Sequence, residues 1–423
     1  MFNVKLFSAN SSVIGFLPVG YRYEIADFRA CSETGSVQLP AGFQASPDAP
    51  ENPLLGNNVK SRAILNNPLS ESMVERYRLL SLSKRILRGS VRPGHNILGC
   101  QRVTMRGISD VAVTRWSDPL ASPDVRRGYH FSGVVTCKSV WVCPVCSYGL
   151  SGARAQEIRD AIRSVKKAGG DVYMLTLTFR HSRFDDLGDM LERCKSSLAK
   201  LWRQRGVRDV MRKGFAGRIT ATEFTYSDES GWHPHQHILL FGGKGYRVES
   251  IQSRLGKYWI RALESSGLSG IADIACNVQS GSAVKDYLTK MSGELALGNT
   301  GVKQGRAGHY TPFQLLGMCR VRDDYKRLWR EFYGVTRGKR ALVWSRGLKR
   351  LCGVPERTDE EIADVSEKAG YEILFSIDGR DFRELLTDYD LGFIRGGPPI
   401  EDVVTLLDRR GVCYRMMVGK KEN

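Results

Sequence analysis

Residues 233–241 read HPHQHILLF and residues 218–226 read RITATEFTY, with the turn-like SDESG of Ser227–Gly231 between them. Both stretches have the length and the β-branched and aromatic content of strands, so they predict a hairpin. A strand alternates its side chains between two faces, which puts His233, His235 and His237 on one face and Ile238 and Leu240 on the other. Working outward, VYMLTLTF (172–179) predicts a strand, and Asp185–Gln204 predicts a helix through Leu187, Leu191, Leu198 and Leu201. After the hairpin come a basic amphipathic helix over Val248–Leu263, a strand over Ile271–Val278 and a helix over about Ser282–Ser292. The order β-α-β-β-α-β predicts an α+β fold, the ferredoxin-like antiparallel sheet with helices packed on it.

The histidine face carries the first chemistry. The chain has seven histidines, and three of them alternate along one strand. Neutral imidazole is the commonest protein metal ligand, and positions i and i+2 of a strand suit chelation. Glu223 lies on the neighbouring strand. With His235 and His237 it makes a nitrogen–oxygen set suited to Mg²⁺ or Mn²⁺, with open positions where a phosphate oxygen can be polarised. The plain alternative is an exposed polar strand with surface histidines. A second motif lies in GSAVKDYLTK (281–290). There Ser282 is an N-cap, Val284, Leu288 and Met291 form the buried stripe, and Tyr287 and Lys290 share a face at i, i+3. A phenol with its usual pKa near 10 is a poor nucleophile, and a neighbouring ammonium stabilises the phenolate. Most YxxK pairs are ordinary surface contacts; the weight here comes from the position just after the histidine strand.

The third signal is Cys137-x5-Cys143-Pro-Val-Cys146, a knuckle whose closely spaced thiolates can share a Zn²⁺. A closed structural site needs a fourth ligand; Cys100 is the choice, with His130 and His95 as alternatives. The ten cysteines are otherwise scattered over 423 residues, which excludes a small secreted disulfide scaffold and fits a reducing cytoplasm. No apolar run approaches the roughly 20 residues that span a bilayer, so no membrane partner is expected.

Lys+Arg outnumber Asp+Glu by 63 to 45, a formal charge of +18, which favours a polyanionic partner. Much of this charge gathers around Trp344, at Arg337, Lys339, Arg340, Arg346, Lys349 and Arg350, following a helix over Tyr325–Tyr333. It reads as a DNA-backbone contact with Trp344 as a stacking aromatic, or equally as a solvated basic loop. The domain reading is residues 1–90 as a loop-rich, partly disordered region with a short helix near Glu71–Leu87, 91–165 as a zinc-binding segment, 166–300 as the catalytic domain and 301–423 as a basic region. That last part includes a small accessory module, beginning with the acidic stretch from Glu356 to Glu367.

In this order, CKSVWVCPVC, MLTLTF, HPHQH and YLTK resemble the replication initiator proteins of rolling-circle plasmids and phages, in the branch of the HUH endonuclease class with a Cys-rich segment. The resemblance runs from about Cys100 to Met291 and less specifically to WSRGLKRL (344–351). It implies that His235 and His237 bind a divalent metal, with Glu223 as the added carboxylate of related enzymes. It also implies that Tyr287 is the nucleophile, helped by Lys290, that attacks origin DNA presented as a single strand or hairpin. The products implied are a 5′-phosphotyrosyl link and a free 3′-OH for a host polymerase, with host helicase as a further partner. Two positions depart from the family pattern. Gln236 stands where a hydrophobic residue is usual, and Ala283 stands where some members carry a glutamate used in termination, leaving Asp286 and Glu294 as substitutes. The competing readings are a transposase or relaxase of the same chemistry, a non-catalytic zinc protein that binds DNA, and a zinc hydrolase without a covalent intermediate.

Overall fold

The computed structural model describes residues 21–25, 68–116, 128–280, 284, 308–359, 361–362 and 371–421. Its strands are β1 (Tyr21–Ile25), β2 (Asp110–Trp116), β3 (Tyr129–Ser132), β4 (Asp171–Leu177), β5 (Phe215–Ser227), β6 (Gly231–Gly242), β7 (Cys276–Ser280), β8 (Leu342–Trp344), β9 (Tyr371–Asp378) and β10 (Tyr414–Lys421). They form two five-stranded antiparallel sheets, one in each of two compact units.

The first unit has the order β1-β10-β9-β2-β3. Tyr21 pairs with Lys421, so strands from the two ends of the chain share one sheet. Val111, Val113, Phe375, Ile377 and Phe382 form its interior. Thr387 and Asp390 close a capping box at the start of the Asp388–Arg395 helix, satisfying backbone donors that a helix start leaves unpaired.

The second unit has the order β7-β4-β6-β5-β8. Its first four strands follow the βαββαβ connectivity read from the sequence, and β8 adds an edge. The predicted helices form over Leu187–Arg203 and Val248–Glu264, and the C-terminal one over Tyr325–Thr336. The pattern near Glu71 becomes the helix Pro68–Leu87. Ile271–Val278 differs from expectation. Ala275 N–H donates to Ile271 O at 2.7 Å, winding Ala272–Ala275 into a helical turn, and the strand begins only at Cys276. Ile271 and Ile274 are exposed, so the apolar residues that imitated a strand are not sheet-facing. A second helix, Arg205–Gly214, follows the first after Gln204 and is not legible in the sequence as a separate element.

The pairing register separates the two faces of this sheet. Glu223 faces His235, Ala221 faces His237, Ile219 faces Leu239 and Thr176 faces His237. Residues directly opposite each other in a ladder lie on the same side. Farther along that side, Ile219, Leu239, Phe241, Val172 and Met174 join Ile158 and Ala161 of the Pro144–Lys167 helix in a buried cluster. Val284, the one described residue of the predicted 282–292 helix, is helical, 5% exposed and part of the same cluster. The opposite face buries Leu175, Ile238 and Leu240, and the Val248–Glu264 helix contributes the fully buried Leu255 and Trp259.

Candidate functional site

The hairpin brings Glu223, His235 and His237 together. Glu223 Oε2 lies 3.3 Å from His235 Nε2 and 3.3 Å from His237 Nε2. The three ligand atoms are all within 4.8 Å of one another. Each ring is held through its other nitrogen. His235 Nδ1 lies 3.3 Å from the His233 carbonyl, which only accepts, so this contact is a hydrogen bond donated by the ring. His237 Nδ1 lies 3.0 Å from Thr176 Oγ1 on β4. Such outer contacts fix the tautomer and aim of metal-ligating histidines. Burial opposes ionisation of Glu223, but the hydrogen bonds from both imidazoles outweigh it and hold its carboxyl well below the usual value. The two converging Nε2 atoms and the ionised carboxylate are a donor set that fits a divalent cation, which would take the place of the protons they share, with positions left for water or a phosphate oxygen.

His233, the first histidine of the strand, is placed differently. Its Nδ1 meets His181 Nε2, and His181 Nδ1 lies 3.1 Å from the Ser230 carbonyl. Neither Thr176 nor His181 is a candidate by motif. Alternation puts Thr176 on one side of its strand with Met174 and Thr178, and only the β4–β6 register turns that side toward the histidines; His181, beyond the strand end, carries no periodic signal. Gln236 faces away from the metal residues. It is 2% exposed, accepts a 3.0 Å hydrogen bond from Thr222 Oγ1 and hydrogen-bonds the Cys194 thiol, whose pKa burial pushes up to about 12. A polar residue is tolerated there because its amide is satisfied.

The thiols of Cys100, Cys137, Cys143 and Cys146 lie within 4.8 Å of one another, so the four can hold a zinc ion. Cys137 and Cys146 sulfurs are 3.8 Å apart. That matches the ~3.8 Å edge of a tetrahedron with Zn–S near 2.3 Å. Cys143 caps the Pro144–Lys167 helix, its sulfur accepting from Cys146 N–H at 3.3 Å. The alternatives for the fourth ligand are engaged elsewhere: His130 Nδ1 accepts from Arg395 at 2.9 Å, and His95 packs edge-on against Tyr333. Trp141, inside the cysteine segment, donates to Lys339 O at 2.7 Å and packs edge-on against Phe224 of β5. This tie between knuckle and sheet carries no sequence signal.

The six basic candidates divide. Arg337, Arg340, Arg346 and Arg350 are exposed. Lys339 pairs with Glu192 at 2.8 Å. Lys349 is a correction to the DNA-facing set: it is 3% exposed and its ammonium meets the buried carboxylate of Glu157 at 3.2 Å. Arg154 and Arg357 complete that network, at 2.9 and 3.2 Å from Glu157. Trp344 is likewise not a projecting stacker, because it sits in β8 opposite Ile219 and packs against the core cluster. Tyr287 and Lys290, with Ala283, Asp286 and Glu294, lie outside the described residues. No helix among the described residues is long and apolar enough to cross a membrane.

Comparison with known proteins places this geometry. The profile of the family described as "Replication protein" matches residues 129–268. A "Protein rep" of Streptomyces lividans is 26% identical over 296 residues, covering 52% of this chain and 64% of that protein. A "Neomycin resistance protein" of Streptomyces cyanogenus is 34% identical over 141 residues, covering 26% of this chain and 32% of that protein. A "Protein rep" of Lentilactobacillus hilgardii is 25% identical over 134 residues, covering 30% of this chain and 41% of that protein. The chain thus spans less than two thirds of the length of these curated relatives. No solved structure matches. The stretch that matches the replication protein profile, residues 129–268, is the one that carries the cysteine knuckle, Glu223, His235 and His237.

Proposed function

We propose that this chain is a replication initiator that nicks origin DNA through Tyr287 and starts rolling-circle replication. One observation carries the reading: Glu223, His235 and His237 lie on the same sheet face as Val284, three residues before Tyr287. In the sequence Val284 and Tyr287 belong to the same predicted helix, and Val284 is buried in the cluster on that face. The names of two relatives, both "Protein rep", support the same biological role.

Glu223, His235 and His237 are the residues to hold Mg²⁺ or Mn²⁺. When bound, the cation polarises a non-bridging phosphate oxygen and offsets charge developing on it. Thr176 and the His233 carbonyl keep the two imidazoles aimed. Lys290 lowers the cost of forming the Tyr287 phenolate. The phenolate oxygen forms a bond to phosphorus and the bond from phosphorus to the 3′ oxygen breaks. That oxygen takes up a proton and leaves as a 3′-OH, while the 5′ phosphate stays on the tyrosine. No water is consumed, so the phosphodiester energy is retained for rejoining. The hydroxyl is then available to a host polymerase, with a host helicase opening the duplex. Ala341 O accepts from Thr222 N–H at 3.1 Å, and the preceding residue, the exposed Arg340, is free to meet the DNA backbone near this sheet edge. Cys100, Cys137, Cys143 and Cys146 hold Zn²⁺ as a structural ion, since an all-thiolate set is normally closed.

The test is a covalent-adduct assay. The full chain is mixed with single-stranded and hairpin oligonucleotides from its own replicon and Mn²⁺, then run on a denaturing gel beside Tyr287→Phe and His235→Ala. A shifted protein–DNA band absent from both variants is expected. Persistence of the band in Tyr287→Phe would name a different nucleophile, and cleavage without any adduct would favour metal-dependent hydrolysis.

A further inference from the structure

The loop Arg180–Asp185, between β4 and the Leu187–Arg203 helix, holds an exposed aromatic three residues after His181, whose ring meets His233 of the histidine strand. Phe184 is 82% exposed, the most exposed large hydrophobic residue among those described. Single exposed apolar residues are common and need no purpose. This one has three unusual features.

First, the Arg183 guanidinium sits over the Phe184 ring, 4.7 Å from its centroid, so a cation and an aromatic face are presented together. Second, the loop is built to hold that pair out. Asp185 accepts from Ser182 N–H at 2.6 Å, Phe184 N–H donates to Ser182 Oγ at 3.3 Å, and Arg180 N–H donates to Ser269 O at 2.8 Å. The carboxylates of Asp185 and Asp186 are turned into backbone donors, leaving the guanidinium groups of Arg180 and Arg183 as the exposed cations of the loop. Third, the loop is anchored to the histidine strand. His181 meets His233, whose ring lies 5.3 Å from that of His235. Gly231 allows this approach: its φ is +74°, and a Cβ there would stand 2.7 Å from Arg183 Cα.

We propose that this loop is a base platform: Phe184 stacks on a nucleobase of the single strand entering the metal site, and Arg180 and Arg183 contact its phosphates. This inference rests on the DNA reading above. Single-strand binding sites combine a basic track with aromatic faces, and stacking tolerates any base because every base has a π face. A cation already resting on one side of the ring strengthens the pairing of charge and stacking in one place. A net charge of +18 gives the strand its long-range attraction.

The test compares binding of the full chain to a labelled oligothymidylate and to an abasic oligomer of the same length and charge, each about 15 nucleotides. Wild type is expected to prefer the base-bearing strand. Phe184→Ala should weaken oligothymidylate binding by about 5- to 100-fold while leaving abasic binding unchanged. Phe184→Trp should restore the preference, and its indole fluorescence should be quenched on binding the thymidylate strand. If Phe184→Ala keeps the wild-type preference, the platform is overturned while the nicking reading stands. If wild type binds neither strand and forms no covalent adduct, both fail together.

Discussion

Thr176 Oγ1 and His237 Nδ1 lie 3.0 Å apart, across the β4–β6 ladder where the two residues are directly paired. The threonine is therefore the support of a metal-type imidazole, supplied by a strand whose sequence shows only a common apolar pattern. Removing its hydroxyl in Thr176→Val should lower Mn²⁺ affinity by about 10- to 100-fold, the usual cost of removing such a partner. Calorimetric titration would read this directly, and Thr176→Ser should recover most of the affinity. Equal affinity in wild type and Thr176→Val would show that His237 needs no such support.

Gln236 offers the opposite case on the same strand. Its amide is satisfied by Thr222 and Cys194 on the far face of the sheet. Gln236→Ala should cost about 1–3 kcal/mol of stability by stranding buried polar groups, with Mn²⁺ affinity unchanged. Denaturant melts and metal titration on the same sample would separate the two effects. A drop in metal affinity would mean that the faces are coupled.

These two residues show what alternation can and cannot reveal. Period two alone puts Gln236 on the side away from the histidines, because a strand leaves no other choice. It cannot supply Thr222 as the partner of the amide, which depends on hairpin register.

The cysteine cluster leads to a third expectation. Cys146→Ser should reduce bound zinc, measured by elemental analysis, and lower the melting temperature by several degrees, as removal of a structural metal does. A strong chelator should do the same to wild type. Retention of both zinc and melting temperature in Cys146→Ser would remove this cysteine from the ligand set.

A fourth concerns the basic candidates after the Tyr325–Thr336 helix. Neutralising Arg337, Arg340, Arg346 and Arg350 should weaken DNA binding and flatten its salt dependence, by about 0.7–0.9 in slope for each phosphate that is no longer neutralised. Lys349→Ala should act on stability instead, costing about 2–3 kcal/mol because Glu157 is deprived of a buried charged partner while Arg154 and Arg357 remain. Unchanged salt slope in the fourfold variant would show these arginines to be a solvated edge.

From the chain alone, the βαββαβ order of the unit that carries the histidines, and the common side of the strand on which they fall, could be settled, because both follow from local periodicity and short turns. The same holds for the cysteine spacing, which is a property of neighbouring residues. Other features depend on contacts between residues far apart in the chain. The turn at Ala272–Ala275 forms where an apolar run reads as a strand, since helix and strand compete closely over so few residues. Lys349 looks like any surface cation until Glu157, its partner nearly two hundred residues away, takes it into the interior. His181 gains meaning only when the sheet brings its loop to His233. Register, burial and pairing at long range are set by the packing of the whole unit, and no window of neighbouring residues contains that information.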